Sequence, residues 1–408
     1  MKNFLAILVL VSLTIFVIFA RPPARRTGGG QLVYVPPTSG SSGGGGGSGT
    51  DRNAANTTLP AVQAAYWSCT PGGSDRVIVP AGTSTWTSFL TITSPVVIIA
   101  HGTNNANGCT QISNAQMSAY VDAPQGTNPL FIVNLVAQGR VEISGFDCRG
   151  LRSNTCIRVS QTSPVFPRIL VIDSNLFVGF YFSIMNNGAW GVAYRNHHLN
   201  NDWTLREAGF DTLASLPVPN PETYKWNSTN YMVHEDCLFQ YDPQPNERYF
   251  VDTDHPANYM LRYSAFKVNK TANVGSYIWD QHGESSGGDA HVPLGPLIYS
   301  NSMEWTGDTS QNGSAQKLGD IRGGANTLSY SNVATPIFAY IQYRDDYTPT
   351  QNHLTNCYQW NNIDGGGSIG TEWNSDNNVD GVLINVNFFT NIIPSDFSQL
   401  VYPHPLRQ

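Results

Sequence analysis

Asp252, Asp254, Asp280, His282 and Arg322 are residues whose types and spacing could do chemistry together. His282 precedes a glycine and Arg322 opens an Arg-Gly-Gly run, so a ligand could approach the backbone closely at both places. An imidazole titrates near neutral pH and can pass a proton as base or acid. A guanidinium matches the planar fork of a carboxylate. Aspartates can accept from sugar hydroxyls or ligate a hard cation such as Ca²⁺. His282 and Arg322 are therefore the candidate catalytic pair, with Asp252, Asp254 and Asp280 as sugar or Ca²⁺ ligands. Such a set suits β-elimination from a uronate polysaccharide, where a cation neutralises the carboxylate and a base takes the C5 proton. Hydrolysis would instead need two carboxylates in acid and base roles.

A second set follows a recurring phrase. It reads IDSNLF at 172–177, AYRNHH at 193–198, HEDCLF at 234–239, LRYSAF at 261–266, IYSNSM at 298–303 and INVNFF at 384–389. Two positions before the Asn, Cys or Ser of the first five phrases stand Asp173, Tyr194, Glu235, Arg262 and Tyr299. Alternation along a strand predicts that this position faces outward. Glu235 is then a reserve catalytic acid, and Tyr194, Arg262 and Tyr299 are candidate sugar contacts. Each has a structural reading beside it. Asp173 could cap a bend, Arg262 could pair with a neighbouring carboxylate, and His197 and His198 could simply pack. Trp279, Trp305, Trp360 and Trp373 read as exposed aromatics that could stack on sugars or fill loop cores.

The elements that must position these residues come from the same phrase. Self-similarity at some twenty residues or more means a stacked solenoid, and Asn175 and Asn196 lie 21 residues apart. That suits one three-stranded turn. Longer gaps fit a turn plus a loop thrown out of the stack. The chain is therefore predicted to be all-β, a right-handed parallel β-helix of three sheets, with Asn175, Asn196 and Asn301 inward at one bend. The right hand follows from the preference of parallel crossover connections. Residues Leu59–Trp67 read as a short N-terminal capping helix with Pro60 in its first turn. Stretches 201–227, 282–296 and 344–352 lack the repeat and read as loops shaping a site. The terminal Tyr-Pro-His-Pro-Leu, residues 402–406, cannot continue a sheet and is expected to fold back on the last coils.

Composition agrees. There are 38 glycines, and charged residues make up only 12 % of the chain. A solenoid needs many tight bends and little helix. The net charge of −7, with no basic run outside the N-terminus, argues against nucleic acid as a partner. Residues 1–20, with Lys2 before an apolar run, read as a signal peptide or an N-terminal membrane anchor. Residues 21–56, rich in Gly, Ser and Pro, read as a disordered linker, and 57–408 as the β-helix domain. A secreted or cell-surface location follows, and with it disulfides among the six cysteines. Cys148–Cys156 and Cys69–Cys109 are the expected pairs. Cys237 reads as a buried free thiol, or as a partner of Cys357.

A family resemblance rests on several segments. They are VIVPAGTSTWTSFLTIT at 77–93, VEISGF at 141–146, YRNH at 194–197, His282-Gly283, IRGG at 321–324 and the terminal YPHPL. Together they resemble secreted right-handed parallel β-helix proteins of the pectate lyase-like superfamily, over roughly residues 61–406. The resemblance implies the fold and a polysaccharide partner. It does not fix an activity, because that superfamily spans lyases, hydrolases, esterases and non-catalytic spikes. No Arg-x-Pro-x-x-Arg segment of the kind pectate lyases use stands within residues 57–408, and the chain lacks the combined Asp-Asp and Gly-His-Gly signature of polygalacturonases, the nearest stretch being Asp280-Gln-His-Gly283. The expectation is a polysaccharide lyase, with a glycoside hydrolase second. The alternatives are a non-catalytic glycan-binding or adhesive protein and a structural surface fibre.

Overall fold

The computed structural model describes residues 49–101, 110–113, 129–134, 139–159, 168–208, 231–244, 248–254, 259–270, 276–281, 295–307, 316–323, 326–335, 339–343, 354, 356–364, 367–373 and 383–407. All of them lie in one compact unit spanning residues 41–408. The apolar run near the N-terminus and most of the Gly-rich segment lie outside them. Among the described residues no helix is long and apolar enough to cross a membrane.

One coil explains the rest. Arg168–Asp173 lies in the first sheet, Leu176–Val178 in the third and Phe182–Asn187 in the second. The chain then re-enters the first sheet at Trp190–Tyr194, in parallel register with the strand where the coil began. Among the described residues, repetition gives three stacked sheets of twelve, ten and eleven strands, the right-handed parallel β-helix expected from the phrase. The third sheet ends differently. Ile363–Asp364 pairs antiparallel with Gly367–Ser368.

The recurring Asn is the reason for the phrase. Asn301 Oδ1 accepts from the Ser264 backbone N–H at 3.0 Å, and its Nδ2 donates to the Leu261 carbonyl at 2.9 Å. Asn175, Asn196, Asn332 and Asn362 make equivalent bonds, so one ladder satisfies buried backbone groups at the bend of successive coils. The residue before each rung is left-handed without being glycine: Ser174, Arg195, Asp236, Tyr263, Ser300, Ser331 and Asn361 have φ between 52° and 56°. Such backbone is costly for ordinary residues, and the side-chain ladder holds it in place. The phrase at 384–389 is a false repeat. Phe388 pairs with Cys357, and Asn387 bonds the Leu354 carbonyl outside the ladder.

The phrase's last aromatics stack along the axis. The rings of Phe177, His198, Phe239 and Phe266 follow one another at 5.0, 4.6 and 4.6 Å. His198 substitutes for phenylalanine because its Nδ1 finds Ser183 Oγ at 2.8 Å in the interior.

Cys237 occupies a ladder position with a weaker group, its Sγ 3.6 Å from the Ala193 carbonyl. Burial pushes its thiol up to about 12, an inert group. Cys237→Asn would complete the ladder at nearly constant volume. It is expected to raise the unfolding free energy by about 1 kcal/mol, read as a higher denaturant midpoint. An unchanged or lower midpoint would mean that the rung cannot accept an amide.

Three expectations need correction. The domain begins before residue 57, because Asp51–Asn53 pairs in parallel with Arg76–Pro80, pinned by Asp75 bonds to Thr50 and Arg52. The predicted loop 201–227 opens with a strand, Trp203–Ala208, in the second sheet. Cys148 and Cys156 are buried thiols in hydrogen-bond contact rather than a disulfide, whereas Cys237 is a buried free thiol as expected. Cys109 lies outside the described residues. The capping helix Leu59–Trp67 forms as expected, burying Leu59, Val62, Ala65 and Tyr66.

Candidate functional site

The second sheet carries the candidate site on its outer face. Glu207 points inward, since its Oε1 meets His234 Nε2 of the first sheet at 2.7 Å, with both side chains buried. Its neighbour Arg206 therefore faces out. Strand register carries that outward position through Asp252, Asp280 and Asp320 to Gln342, one residue per coil. Adjacent coils are about 4.8 Å apart, so three aspartates form a vertical column with Arg206 at one end. Asp252, Asp280 and Asp320 are only 2 %, 1 % and 2 % exposed.

Arg322 closes on this column from the side. Its Nε donates to Asp280 Oδ1 at 2.9 Å and its Nη2 to Asp280 Oδ2 at 2.5 Å. The backbone holds it there. The Arg322 N–H bonds the Gln281 carbonyl, while the Gln281 side chain donates to the Gly323 carbonyl and accepts from Thr327 Oγ1. Inside the sheet, Gly319 leaves room for the buried Trp279. A Cβ there would fall 2.0 Å from the indole.

Of the predicted set, Asp252 and Asp280 lie on adjacent coils of the second sheet, and Arg322, just past the strand Gln316–Ile321, bonds Asp280. His282 and the side chain of Asp254 lie outside the described residues, so the predicted trio Asp252, His282 and Arg322 stays an expectation as a set. Arg206 and Asp320 were missed. Arg206 sat in an apparent loop, and Asp320 was passed over for Arg322 two residues later. Strand alternation backward from Arg322 was the signal for Asp320. Among the described residues no group of three or more His, Cys, Asp or Glu is set to hold a metal ion. Both oxygens of Asp280 are taken by Arg322, so Asp252 and Asp280 do not by themselves make a Ca²⁺ cage.

The other column is real but is not an open groove. Asp173, Tyr194, Glu235, Arg262, Tyr299, Tyr330 and Trp360 are in register on the outer face of the first sheet. The C-terminal segment lies over it. Arg262 Nε donates to Glu235 Oε2 at 2.8 Å, and its Nη atoms donate to the Tyr299 hydroxyl and the Leu400 and Val401 carbonyls. Glu235 Oε1 accepts from the His404 N–H at 2.9 Å and from Arg407 Nη1 at 2.8 Å. Glu235 and Arg262 are fully buried. Glu235 as catalytic acid and Arg262, Tyr194 and Tyr299 as sugar contacts are thus corrected: the chain's own tail bonds Glu235 and Arg262, the Tyr299 hydroxyl is taken by Arg262 and Met260, and Arg407 of the tail lies over the Tyr194 ring. Burial pushes the Tyr194 and Tyr299 hydroxyls up to about 12, further from any proton-transfer role near neutral pH.

The aromatics are corrected too. Tyr299, Tyr330 and Trp360 stack face to face at 4.6 and 4.4 Å, so their faces are used by one another and not by a sugar. Trp279 and Trp305 are buried, and the Trp373 side chain lies outside the described residues. The tail folds back further than the last coils, reaching the Arg140 side chain through the Leu406 carbonyl.

Comparison with known proteins finds no matching family model and no matching curated protein. Among solved structures the chain is similar to an alginate lyase from Paenibacillus sp. str. FPU-7, at 12 % identity and TM-score 0.49, over 80 % of this chain and 99 % of that one. It is also similar to a Family 28 exopolygalacturonase from Yersinia enterocolitica, at 10 % identity and TM-score 0.28, over 82 % of this chain and 68 % of that one. A third is the catalytic domain of a GH87 alpha-1,3-glucanase, at 10 % identity and TM-score 0.30, over 88 % and 70 % of the two chains. At these identities and scores the likeness carries no argument about the reaction, which has to be argued from the column itself.

Proposed function

We propose that this is an exported polysaccharide-cleaving protein whose reaction takes place at the Asp252–Asp280–Asp320 column, by hydrolysis of a glycosidic bond. The observation that carries the reading is three buried carboxylates in register on consecutive coils. Burying like charges side by side is expensive. Stacking coils does not require it, since Ser, Thr or Asn would fill the same positions. Neighbouring rungs, about 4.8 Å apart, come close to the roughly 5–5.5 Å between carboxyl groups of retaining glycosidases. Asp280, gripped by Arg322, is the carboxylate set to carry charge as nucleophile or base. Asp252 or Asp320 would give the proton to the leaving oxygen. At the burial observed, the column must be uncovered before a polysaccharide reaches it. Export would be directed by residues 1–20.

A second reading, β-elimination on a uronate glycan, is favoured by Arg206 and Arg322 beside the column, with His282 as the base. The products separate the two. Hydrolysis releases reducing ends without an unsaturated sugar, whereas elimination adds the ultraviolet absorbance of a new double bond. The expected result with a panel of neutral and acidic polysaccharides is new reducing ends, no such absorbance, and unchanged rates with a chelator present. Ultraviolet-absorbing product would overturn hydrolysis, and loss of activity on chelation would restore Ca²⁺ to the mechanism. Binding without any cleavage would move the protein to the adhesive reading.

A further inference from the structure

The chain's own C-terminal segment covers the outer face of the first sheet. Among the described residues, 391–407 contain no strand, only a 3₁₀ turn at Pro405–Arg407, so the tail belongs to none of the three sheets. Yet two fully buried charged side chains of the sheet, Glu235 and Arg262, take several of their partners from it. The recognition is directional and reads both backbone and side chains. Arg262 binds two consecutive carbonyls, Leu400 and Val401. Glu235 binds the His404 N–H, and Tyr402 Oη donates to both oxygens of Asp236. Arg407 Nη1 donates to Glu235 and to Asp236 Oδ2, while its guanidinium lies 4.7 Å over the Tyr194 ring.

Apolar contacts complete the cradle. The Tyr402 ring packs 4.1 Å from Tyr263, and Phe397 meets the edges of Tyr330 and Trp360. The tail itself stays at the surface, its outer residues exposed and Val401 71 % so. A buried charged receptor under a surface ribbon that joins no sheet has the anatomy of a peptide-recognition site, in which main-chain bonds give affinity and side-chain pockets give selectivity.

We infer that this face is a peptide-binding site for an extended Phe-x-x-Leu-Val-Tyr-Pro-x-Pro-x-Arg segment, separable from the fold, so that the tail of a second copy can occupy it when the resident tail is displaced. Exchange of tails would then link copies without any change in the coils. The inference does not depend on the hydrolase reading, because no residue of the aspartate column takes part.

The test starts from the intact folded chain. A protease site placed at the exposed Ser395–Asp396 step is cut after purification, and the released tail is washed away. A fluorescent peptide of residues 395–408 is then titrated by polarisation, with circular dichroism to follow the β-sheet. The expected result is a retained sheet signal and saturable binding, weakened about ten-fold or more when the peptide carries Arg407→Ala, because two charge-assisted bonds are lost. Mixed full-length copies, one dye-labelled at its tail, should also exchange label slowly into complexes of two chains. A cut protein that keeps its sheet but binds no peptide would overturn the inference. So would a tail that cannot be released without loss of the sheet. Equal binding of the Arg407→Ala peptide would overturn the recognition described here.

Discussion

Asp280→Asn is expected to lower polysaccharide cleavage by roughly 10²–10⁴, the usual contribution of a group that handles the proton or the bond. The side chain keeps its shape and one acceptor for Arg322, but loses its charge and turns an amide toward a guanidinium nitrogen. Some stability should go with it, because Arg322 is left partly buried opposite a neutral partner. The double variant Asp280→Asn/Arg322→Gln separates the two effects. Removing both charges should return most of the melting temperature, since a neutral pair replaces an ion pair. If Asp280 does chemistry, activity should not return. Full recovery of reducing-end release in the double variant would make the column a structural feature and leave the adhesive reading in front.

The larger effect on stability is expected at Arg262. Arg262→Met should destabilise the protein by about 3–5 kcal/mol, the range for removing one partner of a buried ion pair. Methionine fills the aliphatic part of the space but leaves the Tyr299 hydroxyl and the Leu400 and Val401 carbonyls without their donor. Glu235 keeps only the tail's own contacts, which then have to hold the tail unaided. Denaturant melts give the magnitude, and limited proteolysis should release the C-terminal residues first. Arg407→Ala should cost less, because that side chain is partly exposed and water can replace it. A small effect at Arg262 with a large one at Arg407 would reverse this account of what holds the tail.

The coil was legible in the sequence where one backbone problem recurs at every turn and has one side-chain solution. Asn at the bend bonds two backbone groups at once, so Asn175, Asn196 and Asn301 stood out as a set. Where the rung is Cys237 or Ser264 the pattern survived through its neighbours. The false phrase at 384–389 shows the limit, because six residues of similar chemistry can occur without the register that gives them meaning. Strand alternation also located the outward column of Glu235 and Arg262. It could not say what covers that column, since the partners of Arg262 are main-chain carbonyls nearly 140 positions away. Carbonyls carry no sequence signature. Arg206 was hidden for another reason. Its strand precedes a proline-rich stretch, and the boundary between them depends on pairing with Asp252 across the coil rather than on local composition.

A stack of parallel coils has no intrinsic length. Each finished turn presents open hydrogen-bonding groups to the next, and the same geometry that adds a coil within a chain could add a coil from another chain and grow a fibre. The antiparallel pairing of Ile363–Asp364 with Gly367–Ser368 changes that at the end of the third sheet. By doubling back, the chain makes Gly367–Ser368 the last strand of this sheet, and that strand runs opposite to the others. One reversed pair of two-residue strands thus withholds a parallel template at this corner of the stack.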